Sequence, residues 1–159
     1  MKAVVGVLPW AIVTAVVGGA IWWLLSGEVA AGRWLLAAVL VGHAIVHIFF
    51  AVPAPAAEGG AEWPFDMAKS WTVTRAGVPP RTVRTVGIAL IAIVVAGSAL
   101  AALSTVGIVV PAAWWRATVA VSAVASAALL VLVFAPQLVL GLAIDAVLLW
   151  LVVAGAWMP

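Results

Sequence analysis

Cysteine is absent from this chain, which excludes disulfides, thiolate metal sites, iron–sulfur clusters and dithiol redox chemistry. Charge is almost as scarce. Only 8% of the 159 residues are Asp, Glu, Lys or Arg, where a soluble domain carries roughly 25%. The net charge of +2 leaves no dense cationic face of the kind nucleic acid requires. No glycine-rich phosphate loop, HExxH motif, paired catalytic carboxylates or serine nucleophile with partners in view occurs, so no catalytic residue is assigned. What remains is apolar: 68% of residues are hydrophobic and the mean hydropathy is +1.35. Such a chain cannot clothe itself for water and reads as an integral membrane protein, by length a single domain.

A membrane-crossing helix needs about 20 predominantly apolar residues. Five stretches qualify: residues 4–25, 34–52, 86–110, 112–134 and 138–157. The long apolar run after residue 111 needs a hairpin, and "FAPQL" supplies it because proline disfavours helix in the residue before it. A four-span alternative, with one segment re-entrant, follows from the same run. The first stretch exceeds the 7–15 apolar residues of a signal peptide and reads as an uncleaved helix. The expected fold is therefore all-α, a bundle of five transmembrane helices with a long loop at residues 53–85.

Lys and Arg gather on the cytoplasmic side of bacterial membrane proteins. Lys2, Lys69, Arg75, Arg81 and Arg84 share one side of a five-span layout, and Arg33 and Arg116 lie on the other. This places the N-terminus and the loop in the cytoplasm and the C-terminus outside the plasma membrane. Trp22, Trp23, Trp34, Trp114, Trp115 and Trp157 fall near the predicted outer ends, as an aromatic belt does. Arg116 snorkels beside them.

Two imidazoles interrupt the second span. His43 and His47 in "VGHAIVHIFF" are one turn apart and share a helix face. Asp145 in "GLAIDAVLL" is a mid-span carboxylate, with an insertion cost of about 2.5–3.5 kcal/mol. At 1.5 Å per residue, His47 lies about 7 Å and His43 about 13 Å from the cytoplasmic edge, with Asp145 at about 10 Å. Equal depth predicts that the second and fifth helices are neighbours, with Asp145 facing both histidines. Three chemistries fit this trio. It is a buried hydrogen-bonded set that joins helices, a proton- or ion-handling site, or two imidazoles and a carboxylate for a divalent metal. Haem fits poorly, because histidines four apart cannot sandwich one macrocycle. No cofactor is expected beyond that metal alternative.

In the loop, "WPFDMAKSW" reads as a short interfacial helix anchored in lipid by Trp63, Phe65, Met67 and Trp71. Asp66 and Lys69 are placed to pair, and Asp66 or Glu62 reaches the histidines if the loop is a lid. Small residues at four-residue spacing, among them Gly97/Ala101 and Ser122/Ser126, predict close packing of the third and fourth helices. The hydroxyls of Ser98, Ser104, Ser122 and Ser126 are expected to bond their own helix backbones.

"WPFDMAKSW", Trp-Trp-Arg at 114–116 and "LVLGLAIDAVLLW" together resemble small multi-pass membrane proteins from Ala/Val-rich bacterial proteomes. The resemblance covers most of the chain after Gly42 and brings no activity with it. A looser likeness to DoxX-like membrane proteins rests on size and helix count. The expected role is a non-catalytic structural or accessory subunit in the bilayer, packing with itself or with another membrane protein. A proton- or ion-coupled transporter and a metal-binding membrane enzyme are the alternatives.

Overall fold

Every regular element in the described residues, 29–52 and 65–155 of a computed structural model, is helical. The predicted span at 4–25 lies outside them, as do Trp22, Trp23, Glu62, Trp63 and Trp157. Helix α1 is Val29–Ile48. A 3₁₀ turn at Met67–Lys69 leads into the single turn α2, Trp71–Thr74. Helix α3 is Pro80–Val106. A second 3₁₀ turn, Ala112–Trp114, opens α4, Trp115–Leu132. A third, Pro136–Leu138, opens α5, Val139–Val153.

Three of these segments are long and apolar enough to cross a membrane: Ala31–Ile48, Pro80–Val106 and Ala112–Leu132. Helix α5 has 15 residues, a length of about 22 Å against a hydrocarbon core of about 30 Å. It is shorter than the predicted 138–157 span, because the chain turns after Val153 and Gly155 takes a positive φ of 60°.

Local chemistry sets the other boundaries. Helix α3 starts six residues before the predicted 86. Pro79 is its N-cap and Pro80 its first residue, where a missing N–H costs nothing. It ends four residues before the predicted 110, because Gly107 is left-handed (φ 73°) and Ile108 N–H returns to Leu103 O at 3.0 Å, a glycine C-cap. Val109 follows with φ 62°, an outlier for a β-branched residue. The expected break at "FAPQL" is present: Ala135 is extended (φ −140°) ahead of Pro136.

Helix α3 packs broadly on α1 and α4, and α5 packs on α4. Gly97 makes the α3–α4 approach close, as its small-residue face predicts. A Cβ there would stand 3.0 Å from Ser122 Cβ and 3.3 Å from Thr118 O. The apolar core falls into two clusters. One contains Leu40, Ala101, Trp115, Val119, Ala123 and Leu148. The other contains Phe50, Met67, Ile91, Leu129, Val133 and Leu138. On each long helix buried polar residues come between members of the two: His43 and His47 on α1, Ser98 on α3, Ser122 and Ser126 on α4, Asp145 on α5; Ser104 and Thr105, also buried on α3, lie beyond Ala101. A polar layer thus crosses the bundle.

The loop segment departs from its predicted lipid-anchored form. Met67 is buried against Gly87, and Phe65 stacks edge-on with Phe50 at a centroid distance of 4.8 Å. The last four carbonyls of a helix have no intrahelical partner. Two of those of α4 are taken by the loop: Trp71 Nε1 donates to Val131 O at 2.7 Å and Thr72 Oγ1 to Leu132 O at 2.9 Å. The segment closes the end of the bundle.

Candidate functional site

Helix α1 presents His43 and His47 on one face, as their four-residue spacing requires, and their ring centroids are 4.4 Å apart. His47 Nδ1–H donates to the His43 carbonyl at 2.8 Å, which fixes the ring on its own helix and turns Nε2 inward. From α5, Asp145 Oδ1 reaches to 3.1 Å from His43 Nε2. The predicted meeting of the carboxylate with the histidines is therefore present, with a difference. Helices α1 and α5 are not among the broadly packed pairs, and α4 supplies the residue between them.

That residue is Ser126. Its Oγ is hydrogen-bonded to His43 Nε2 at 3.1 Å, His47 Nε2 at 2.9 Å and Asp145 Oδ2 at 2.7 Å. Asp145 meets His47 through this hydroxyl and His43 directly. All four side chains are buried, Asp145 to 1% exposure and Ser126 to 0%. Asp145 Oδ1 receives no hydrogen bond of good geometry, despite its closeness to His43. Burial of a carboxylate in such a site is tolerable only because its other oxygen and both imidazoles close on one another.

Expecting Ser126 to bond its own backbone missed this role. Ser104 does bond Ala101 O in its own helix, but Ser98 and Ser122 also join helices. Ser122 Oγ donates to Val94 O at 3.1 Å and lies 2.7 Å from Ser98 Oγ. The signal available in the sequence was the pair Ser122/Ser126, on one face at four-residue spacing.

The remaining predicted residues distribute differently. Trp34 and Trp114 are exposed, as anchors would be, but Trp115 is 1% exposed and belongs to the apolar core. Successive helical residues point about 100° apart, and here Trp114 falls on the outer face while Trp115 falls on the face toward the core. Trp71 is half exposed and tied to Val131. Arg116 is exposed, with its guanidinium beside Gly155 at the end of α5. Asp66 caps the 3₁₀ turn by accepting from Ala68 N at 3.0 Å instead of pairing with Lys69, and neither residue reaches the histidines. Asp66 lines a half-open cavity of about 360 Å³, together with Phe50, Met67, Arg81 and Arg84. Phe50 separates this cavity from the polar cluster, its ring centroid 6.0 Å from that of His47.

Among the described residues, no group of three His, Cys, Asp or Glu side chains is arranged to hold a metal ion. Both Nε2 atoms are turned onto the serine hydroxyl. Chemically the cluster can bridge three helices and can carry protons. Comparison with protein-family models, curated proteins and solved structures finds no match to this chain. The fold and the site define a class only: among the described residues, an all-helical bundle with three helices fit to cross a membrane, in which a buried His–Ser–His–Asp cluster joins α1, α4 and the shorter α5.

Proposed function

We propose that this chain is a small, multi-pass protein of the plasma membrane, a non-catalytic structural or accessory subunit that packs with itself or with another membrane protein. In this reading five helices cross the bilayer, with the N-terminus in the cytoplasm and the C-terminus outside. The observation that carries the role is closure of the cluster: His43, His47, Ser126 and Asp145 are buried and spend their polar atoms mainly on one another. A site built for substrate leaves groups directed into a cavity, whereas here the cavity lies beyond Phe50. Native mass spectrometry of protein gently extracted from its own membrane tests this. Apo-mass chains bound to each other or to another membrane protein are expected. A metal-sized excess mass that is lost in His47→Ala would overturn the structural role.

A second reading, proton or ion coupling through the same cluster, is supported by the unpartnered Asp145 Oδ1. Its test is proton flux into vesicles containing the purified protein, measured with Asp145→Asn as the comparison.

A further inference from the structure

From the hydrogen count around Ser126 we infer that Asp145, Ser126 and His47 form a binding site for a single proton, which the serine hydroxyl passes between the carboxylate and the imidazole. The inference concerns the cluster itself and does not depend on the accessory role.

Three polar atoms converge on Ser126 Oγ: His43 Nε2, His47 Nε2 and Asp145 Oδ2. A hydroxyl owns one hydrogen and two lone pairs. It satisfies one of these contacts as donor, and the other two partners must bring hydrogens of their own. His43, as a neutral ring with its hydrogen on Nε2, brings one. A neutral His47 cannot bring the other, because its single hydrogen is held on Nδ1 by the His43 carbonyl, which can only accept. An ionised Asp145 has none. With both rings neutral and the carboxylate ionised, one short contact therefore sets lone pair against lone pair, at 2.9 Å or 2.7 Å. One added proton removes the conflict.

That proton has two seats. In the first, Asp145 is a carboxylic acid donating to Ser126, and Ser126 donates to His47 Nε2. In the second, His47 is an imidazolium donating to Ser126, and Ser126 donates to the Asp145 carboxylate. Passage from the first to the second breaks the Asp145 O–H bond and forms a new bond to Ser126 Oγ. The original Ser126 O–H bond breaks as Nε2–H forms on His47. No electrons are exchanged and the cluster's net charge is zero in both. His43 faces this relay from α1, its Nε2 3.1 Å from both Ser126 Oγ and Asp145 Oδ1, and no further titratable group does so among the described residues. Helix α3, packed on α1 and α4, contributes Ser98 to the layer and carries its only charges, Arg81 and Arg84, at its first turn. Arg33 and Arg116 lie near the starts of α1 and α4.

The test is a proton count on the full chain in lipid nanodiscs. Imidazole ¹⁵N signals report both histidines, and the infrared carboxylic C=O band reports Asp145. At neutral pH, His47 Nδ1 is expected to be protonated, and occupancies of the Asp145 carboxyl and His47 Nε2 are expected to sum to one. A sum of zero or of two overturns the proposal. Asp145→Asn, whose amide donates as the carboxylic acid does, is expected to leave His47 neutral with its hydrogen on Nδ1. An imidazolium, or a neutral ring with its hydrogen on Nε2, in that variant also overturns it. With Ser126→Ala in addition, His47 should no longer respond to the change at 145; an undiminished response places the relay elsewhere. Should the alanine variant not fold, the count on the unaltered chain decides alone.

Discussion

The indole Nε1 of Trp71 donates to the carbonyl oxygen of Val131 at 2.7 Å across 60 positions of sequence, and Thr72 does the same for Leu132. A loop that holds the carbonyl end of α4 in this way is part of the bundle's stability. Replacing Thr72 by Val removes the hydroxyl at nearly constant volume and leaves a carbonyl unpaired. The expected loss is about 1–2 kcal/mol, read as a lowered midpoint in denaturant titration of detergent-solubilised protein. An unchanged midpoint would mean that the loop is only tethered there.

Ser126→Ala removes the atom on which three polar side chains converge. The expected destabilisation is about 1–3 kcal/mol, the cost of leaving buried polar partners unsatisfied. Ser104→Ala breaks only a bond within its own helix and should cost less. Thermal unfolding of the two variants side by side checks the order, and equal losses would argue against a joining role for Ser126.

Gly97→Val tests the α3–α4 approach. The nearest obstacles are a backbone carbonyl and the Ser122 Cβ, neither of which can move aside as a flexible side-chain tip would. Overpacking of this kind costs about 1–3 kcal/mol. At Gly87 a Cβ meets the thioether of Met67, which can re-pack. Gly87→Ala should be the milder change, and a reversed order would show that α3 and α4 have room to separate.

Phe50 is the wall between the cavity and His47. Phe50→Ala is expected to raise the rate at which a water-borne imidazole reagent such as diethyl pyrocarbonate modifies His47, followed by peptide mass mapping. His43, one turn deeper, should respond less. A rate unchanged at His47 would mean that water has no path from the cavity.

Val109 holds a positive φ and is almost fully exposed, with Val110 N–H turned back to Ile108 O at 2.6 Å. A tight turn of this hand is strained for a β-branched side chain. Val109→Gly is expected to stabilise the protein by about 1 kcal/mol, seen as a higher unfolding midpoint. A loss of stability would point to a role for the Val109 side chain outside the bundle.

The sequence was informative where a residue carries its own constraint. Asp145 and the two histidines were placed together by depth alone, since buried polar groups in an apolar bundle need one another. The break before Pro136 and the small face at Gly97 were legible for the same kind of reason. Gly107 was readable as a stop after α3, although the apolar run through Val110 concealed it. Ser126 escaped because a helical hydroxyl can usually be satisfied by the turn below it, so its type says nothing of its partners. Trp115 was misplaced because an aromatic near a helix end fits the core and the interface equally well. Composition assigns Met67 to lipid, whereas the gap beside Gly87 holds it; Trp71 stays half exposed, and nothing in composition announces its bond to Val131 O.

Ala- and Val-rich helix faces resemble themselves when slid by one turn, and in lipid no hydrophobic gradient drives helices into one alignment. The polar layer removes that degeneracy. A slip of α5 by one turn, about 5.4 Å, would carry Asp145 off Ser126, toward the level of Ser122 in one direction and into apolar surroundings in the other. It therefore acts as a register key, in the manner of a single buried polar residue in a coiled coil. The four side chains that hold α1, α4 and α5 together thus bear most on the alignment of α5, where Asp145 stands alone, since His43/His47 and Ser122/Ser126 each repeat after one turn.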